Sequence, residues 1–524
     1  MFLLFQFLRY HHGFCFQDLH SNMFLLFQAC LEFAFEGTGI YIPMYKEKIA
    51  FRKLNAIFSF CNALSFLHHI KIRVPLFWET HGFFYSFLTL PFDFLVLPVV
   101  EYIKNKGTSY PICCLRHIPY DIPLSFIKQQ NIDRRLFRMF EQQFINFMEK
   151  FDSVPFTIKT QDHTYQIGKG EPTFSVFFHK VPSMSDLLTS TSIALGEAYM
   201  NGDIEIEGDL YNALNMFLGQ LGKFSTDSKK LKRLIFPSLS KKTQKEEVSS
   251  HYDIGNDFYK LWLDDTLSYS CGYFSKDTDT LYDAQCNKVD RILEKLYLKE
   301  GMTLCDIGCG WGFLLIEAAK KYHVHGVGIT LSQEQKKKFE ERIHEEHLEN
   351  LLEVHLLDYR DLPKSKRKFD RIVSVGMLEH VGRGNYEEFM SCVKSVLKPG
   401  GLFLLHYISA LQEHPGDAWI KKYIFPGGVI PSLREIIQIA GDMRFYTIDV
   451  ESLRRHYNKT LLEWNKNFQA HRAEVVEMFD EKFARMWELY LCACAATFQN
   501  GIIDLSQILF TNDVNNDLPM TRWY

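Results

Sequence analysis

The sequence has no excess of basic charge: 59 Lys and Arg face 63 Asp and Glu, for a net charge of −4. Binding spread over a phosphate backbone needs such an excess, so no nucleic-acid partner is expected. No apolar run is better than marginal for spanning a bilayer. The longest, 82–100, is broken by Pro91, Asp93 and Pro98, where a spanning helix needs about 20 apolar residues with few charges. It reads as a membrane-surface segment or as core. No basic start leads into a clean apolar stretch, so a secretory signal is not expected. The 12 Cys follow no metal-ligand spacing; Cys113 and Cys114 are adjacent, and Cys492 and Cys494 fall in a predicted helix. No metal site is expected, and free thiols in a reducing compartment are the simplest account.

What is present is an ordinary globular composition, 47% hydrophobic and 23% charged, over 524 residues, room for about three domains. Residues 1–130 are crowded with Phe, and Met1–Gln6 (MFLLFQ) recurs at Met23–Gln28. Six residues are too few for a solenoid repeat. They mark a biased N-terminal region, or Met23 as an alternative start. Within 131–150, Ile132, Leu136, Phe140, Phe144 and Met148 form a stripe beside Arg134, Arg135 and Arg138. This predicts an amphipathic helix, either packed on the next domain or lying on an anionic lipid surface.

A small N-terminal α/β domain is expected over 131–221. Its elements are a hairpin (155–158 with 164–167), a strand at 173–179, and helices at 185–199 and 210–221. Gly196-Glu-Ala-Tyr-Met-Asn-Gly-Asp203 lies where those helices meet. A linker at 222–250 follows. It carries Lys229, Lys230, Lys232, Arg233, Lys241, Lys242 and Lys245 against few acids. Such a run is a solvated tether or a further hold on an anionic bilayer.

From 251 to 524 strand and helix alternate. Strands are expected at 302–307, 324–330, 351–357, 370–376 and 401–408, with helices at 281–296, 311–322, 332–347 and 385–397. The fold class is α/β, Rossmann-like, on a mostly parallel sheet covered on both faces; a seven-stranded sheet is what the family resemblance below implies. Ligands in such sheets sit at the carboxyl ends of the strands. The first of these ends is Leu304-Cys305-Asp306-Ile307-Gly308-Cys309-Gly310-Trp311-Gly312. Its glycines bring backbone close to a ligand, and the helix start beyond offers N–H groups to an anion. A dinucleotide fingerprint reads G-x-G-x-x-G; here the spacing is G-x-G-x-G, with Asp306 just before it. An acid there suits an ammonium beside a carboxylate, as in S-adenosylmethionine, and clashes with a pyrophosphate. A plain glycine-rich turn is the alternative. Glu334 or Gln335 is placed to meet ribose hydroxyls, and Asp358 an adenine amino group. Ser332 with Gln335 is equally a capping box.

Several further stretches, in order, are similar to the cyclopropane-fatty-acyl-phospholipid synthases and mycolic acid cyclopropane synthases. They are 251–259 (HYDIGNDFY), 269–274 (YSCGYF), the glycine turn, Gly328–Ser332 with Gln335, Asp358–Leu362, and 369–382 (FDRIVSVGMLEHVG). His406, 425–428 (FPGG), Pro431-Ser432, 456–461 (HYNKTL), Trp464 and Arg485–Trp487 complete the set. The resemblance covers about half the chain. It implies an S-adenosylmethionine site: Tyr269 and Ser270 closing over the cofactor, Leu304, Asp306, Gly308, Gly310 and Gly312 at its amino-acid end, Thr330, Leu331 and Gln335 at the ribose, and Asp358, Tyr359 and Arg360 by the adenine. Some relatives carry Trp then an acid where Tyr359 and Arg360 stand.

The resemblance also implies the reaction: one carbon passes to a cis double bond of a phospholipid acyl chain, which closes to a cyclopropane. A bicarbonate ion would act as the bound base, caged by Cys271, Glu379, His406, the backbone of Ile408, and Tyr457. Tyr407 stands where most relatives have Thr. Making methyl-branched fatty acids or sphingolipids is the alternative within the same chemistry. Membrane phospholipid is the expected partner, through an anionic membrane surface. The expected location is cytoplasmic and peripherally membrane-associated, and a homodimer is compatible with this. Taken singly, Cys271 is as readily a small buried hydrophobe, His406 a satisfied core histidine and Tyr457 a packing residue.

Overall fold

The computed structural model describes residues 71–74, 86–89, 151–220, 254–413, 416–522 and 524, together with 142, 144–146, 148 and 149. The MFLLFQ repeat, the 222–250 linker, residues 251–253 and most of the 131–150 helix lie outside the described residues. The chain divides into two compact units, 1–122 and 123–524. In the first, the described residues form an antiparallel ribbon of β1 (Lys71–Val74) and β2 (Ser86–Thr89).

The second unit opens with a four-stranded sheet. The hairpin is β3 (Phe156–Lys159) with β4 (Thr164–Ile167); β5 (Ser175–Phe178) runs parallel to β3, and β6 (Ile204–Glu207) antiparallel to β5. Phe144 and Met148 of the predicted stripe are buried here with Phe156, Ile158 and Phe178. The single helix expected at 185–199 is two, α1 (Met184–Thr189) and α2 (Thr191–Met200). Ser190 breaks them: it is extended, at φ −160°, and its hydroxyl accepts from Ile193 N–H. A serine that caps backbone in this way competes with helix continuation. α3 (Leu210–Gly219) follows.

The catalytic domain begins with α4 (Asn256–Lys260) and α5 (Leu281–Lys295). Then come β7 (Thr303–Ile307), α6 (Phe313–Tyr322), β8 (His325–Thr330), α7 (Gln333–Glu345), β9 (Leu352–Leu356), β10 (Phe369–Val375), α8 (Tyr386–Val396) and β11 (Leu397–Ser409). α9 (Ala418–Tyr423), α10 (Leu433–Asp442), β12 (Phe445–Ser452), α11 (Arg454–Ala470), α12 (Arg472–Met478), α13 (Glu481–Gln499) and β13 (Asp504–Asn512) complete it. The sheet has seven strands in the order β12-β13-β11-β10-β7-β8-β9. β7 to β11 are parallel, and β13 is antiparallel to both of its neighbours. From β7 the chain builds outward to β9, then returns to add β10 on the other side. The crevice at the carboxyl ends of β7 and β10 is therefore the point where strand order reverses and ligands lodge.

β12 and β13 have no hairpin between them, only α11, α12 and α13. β13 is buried at eight of nine positions, Ser506, Gln507, Thr511 and Asn512 among them, so its sequence shows no alternation of apolar and polar residues. The small domain docks against the helical layer through Gly196–Asp203. A Cβ on Gly196 would enter the Trp419 ring. Glu197 accepts from Lys422 and Tyr423. Arg485 donates to the carbonyls of Tyr199, at 2.6 Å, and Ile204, at 2.7 Å.

Candidate functional site

At the crevice, one cavity is lined by Tyr269, Ser270, Asp306, Gly308, Gly310, Gly312, Thr330, Leu331, Gln335 and Tyr359. These come from the ends of three strands, β7, β8 and β9, and from the loop before α5. The glycine turn is held by Gly308 and Cys309 N–H, both donating to Ile329 C=O at 2.9 and 3.1 Å. Gly312 starts α6 at φ +85°, with no side chain capping the helix. The first-turn N–H groups are thus left toward the cavity, which Phe313 and Leu314 also line. Asp306 is 3% exposed, and its Oδ1 has no partner among the described residues. Burial pushes its carboxyl up to about 7, against the pull of Lys288.

At the second strand end, Ser332 caps α7 by accepting from Gln335 N–H. The Gln335 side chain accepts from Thr330 Oγ1 at 2.8 Å instead of completing a capping box. Gln335 is buried and Glu334 exposed, so of the two ribose candidates only Gln335 reaches the cavity.

Three of the expected cofactor residues do not line the cavity. Leu304 packs with Leu314 and Leu315 in the helix-side core. Asp358 and Arg360 hold each other: Arg360 Nε and Nη2 donate to the two carboxylate oxygens at 2.8 and 2.7 Å. That fork occupies the carboxylate expected at the adenine, and leaves Tyr359 as the lining residue of the three. The departure of Arg360 from the family pattern therefore has a local cause, a pair closed within one turn.

None of the five residues assigned to the base cage lines this cavity, and two of them adjoin its lining residues in the chain. Cys271 follows the lining residue Ser270, and Glu379 sits between the lining residues Met377 and His380. Glu379 does not line the cavity: its Oε1 accepts from Ile408 N–H at 2.5 Å, and its Oε2 is buried with no partner among the described residues. Burial pushes its carboxyl up to about 7. His380 faces the cavity, and burial pushes its imidazole down to about 4. Of the Glu-His pair, only His380 lines the cavity. His406 is 1% exposed; Nδ1 meets Gln507 Nε2 at 3.2 Å, and Nε2 has no partner among the described residues. Burial pushes it down to about 3, so it is neutral at physiological pH.

The Cys271 thiol is fully buried, pushed far up by burial, and contacts the carbonyl of Leu453, which also accepts from Tyr457 N–H. The buried Tyr457 hydroxyl is raised by burial and by its electrostatic neighbours Cys271 and Glu379. His406 and Ile408, two apart on β11, share one face of the sheet. Tyr407 points to the other face, in the core with Tyr386 and Phe389. Its hydroxyl is raised by burial and by the nearby Glu379, so it is electrostatically coupled to the cage.

The geometry is a ligand cavity with a buried acid at one wall, adjoining neutral polar groups in an aromatic core that includes Trp262, Trp464 and Trp487. Residues 239–508 match the mycolic acid cyclopropane synthetase family. The chain belongs to that family. Residues 143–229 match a separate domain of unknown function. The chain is 39% identical over 355 residues to a probable fatty acid methyltransferase of Pseudomonas putida, covering 66% of this chain and 89% of that protein. It is 40% identical over 342 residues to a cyclopropane-fatty-acyl-phospholipid synthase of Escherichia coli K12, covering 64% and 87%. The cyclopropane synthase MmaA2 from Mycobacterium tuberculosis superposes with a TM-score of 0.49 at 34% identity, covering 51% of this chain and 98% of that one.

Sequence reasoning on this family member missed Lys288. It lines the same cavity, is 4% exposed and donates to Ser270 Oγ at 2.9 Å. A single Lys on an amphipathic helix gives no sign of pointing inward. Gln285, one turn earlier, was missed for the same reason; its amide holds the carbonyls of Ser268 and Ser270 at 3.3 and 2.9 Å.

Proposed function

We propose that this protein is an S-adenosylmethionine-dependent cyclopropane synthase acting on cis double bonds in phospholipid acyl chains. The cavity residues fit the cofactor by chemistry: an orphaned carboxylate for an ammonium, an uncapped helix start for an anion, and a buried amide beside a threonine hydroxyl for a ribose. S-adenosylmethionine, when bound, supplies an electrophilic methyl on a sulfonium. The protein's part is to bring an alkene to that methyl without water, and then to hold a base that removes one proton as the ring closes. The cage fits a bicarbonate ion in that role. Glu379 Oε2 and His406 Nε2 are both buried polar atoms with no partner among the described residues. His406 is neutral and can donate, Glu379 near its midpoint can give or take a proton, and the Cys271 and Tyr457 protons are held firmly. None of these groups carries a fixed negative charge that would trap a carbocation.

The observation that carries this reading is the place of Glu379 off the cofactor cavity, accepting from Ile408 N–H. A methyltransferase with an ordinary nucleophile has no use for a second buried acid held off its cofactor cavity. No described helix is long and apolar enough to cross a membrane. Substrate is reached from the bilayer surface in this reading, with the basic residues of 222–250 as the electrostatic hold.

The test is expression in a host lacking cyclopropane lipids, followed by mass analysis of its fatty acids. Gain of one CH₂ with loss of the double bond is expected. Gain of a methyl with the alkene retained or reduced would move the assignment to branch formation. Glu379→Gln is expected to abolish most product while leaving cofactor binding in place.

A further inference from the structure

The methyl donor carries two opposite charges on one carbon at its amino-acid end, and Asp306 answers only one of them. α5 buries two lysines, spaced two turns apart. Lys295, at 1% exposure, is ion-paired with Asp449 at 3.0 Å and Glu451 at 2.7 Å. Lys288 is buried equally but makes no ion pair among the described residues; its hydrogen bond goes to the Ser270 hydroxyl. It lines the cavity together with Asp306, Ser270 and the glycine turn. A buried ammonium without a counter-charge is costly unless something else compensates it. Burial holds Lys288 down to about 8, partly offset by Asp264, Cys271 and Asp306.

We propose that Lys288 is the counter-charge for the carboxylate of the cofactor's amino-acid end, acting with Ser270, while Asp306 takes the neighbouring ammonium. The cavity thus presents a base and an acid that have not closed on each other, and a zwitterion fills both needs at once. The uncapped start of α6 adds partial positive charge on the same side. The proposal rests on the S-adenosylmethionine reading, and assigns to α5 a ligand contact beyond its evident task of bracing the 268–270 loop through Gln285.

The bracing task and the charge task are separable. Binding to the full chain is measured for S-adenosylhomocysteine and for its decarboxylated counterpart, which keeps the adenosine, thioether and amine. A charge-assisted contact predicts that the unmodified chain prefers S-adenosylhomocysteine by about tenfold to a hundredfold. Lys288→Gln retains a donor for Ser270 but no charge. It is expected to reduce that preference to about threefold or less, with the decarboxylated compound bound as before. Lys288→Arg, which restores charge, is expected to recover most of the preference. If Lys288→Gln keeps the preference, or weakens both compounds equally, Lys288 is only a brace and the proposal falls. If the unmodified chain binds neither compound, the cofactor reading falls first and takes this inference with it.

Discussion

Gly312 shows how tightly the turn is specified by a single missing atom. At φ +85° an L side chain is strained, and a Cβ would enter the Phe339 ring, itself fully buried. Gly312→Ala is expected to cost at least about 3 kcal/mol in denaturant unfolding and to lose S-adenosylhomocysteine binding. Asp306 behaves in the opposite way. In the fold its carboxyl stays protonated up to about 7, whereas in the unfolded chain it ionises in the ordinary carboxylate range. As pH rises between those values the unfolded state gives up its proton first, so folding stability falls across that window. Asp306→Asn removes this penalty. It is expected to stabilise the ligand-free protein at pH 8, by on the order of 2–4 kcal/mol, and by almost nothing at pH 4. Thermal melts at the two pH values check this, with weaker S-adenosylhomocysteine binding as the functional cost. At Glu379 the expectation is kinetic: Glu379→Gln keeps an acceptor for Ile408 N–H but not the acid-base function. Turnover should fall by roughly 10²–10⁴-fold, with S-adenosylhomocysteine affinity little changed.

Among the elements, α2 carries a test of domain docking. Gly196 lies within the helix, where Ala in place of Gly gains about 1 kcal/mol in an isolated helix. Here the Trp419 ring occupies the space a Cβ needs, and Trp419 is 4% exposed with its Nε1–H against Met200 Sδ at 3.3 Å. The sign should therefore reverse: Gly196→Ala is expected to lower stability by about 1–3 kcal/mol, and Trp419→Ala to relieve much of that loss in the double variant. A double-mutant cycle by urea denaturation measures the coupling. Elements of this kind divide what was legible in the chain. The strands β7 to β11 and helices α5 to α8 follow from periodicity, because each alternates with its partner within a short loop. β12 and β13 give no such signal. Their pairing closes over some fifty intervening residues of helix, and β13, covered on both faces, has no alternation to betray it. The helix over 185–199 was misjudged because Ser190, an ordinary polar residue by position, uses its hydroxyl as a cap.

At the scale of the whole molecule, the residues matched to families begin at 143 and end at 508. A chain starting at Pro123 is expected to bind S-adenosylhomocysteine as the full chain does; a large loss by titration calorimetry would give the 1–122 unit a part in the site. Lipid contact has its own check. The full chain is expected to sediment with anionic vesicles and to be released by high salt, since attraction between basic residues and headgroups decays within a Debye length. Neutralising Lys229, Lys230, Lys232, Arg233, Lys241, Lys242 and Lys245 should do the same at low salt. The sequence by itself determined the parallel α/β core, the glycine turn and the acid before it, because a strand, a tight turn and a helix start are local and each residue's requirement is written in its neighbours. Cys271, Glu379, His406, Ile408 and Tyr457 were marked as a set only by the family resemblance, not by any local pattern. Only the tertiary structure decided that His380 lines the cavity while Glu379 does not, and that Lys288 points into it. Each of those depends on which way a side chain turns when distant strands and helices meet, and no local pattern encodes that.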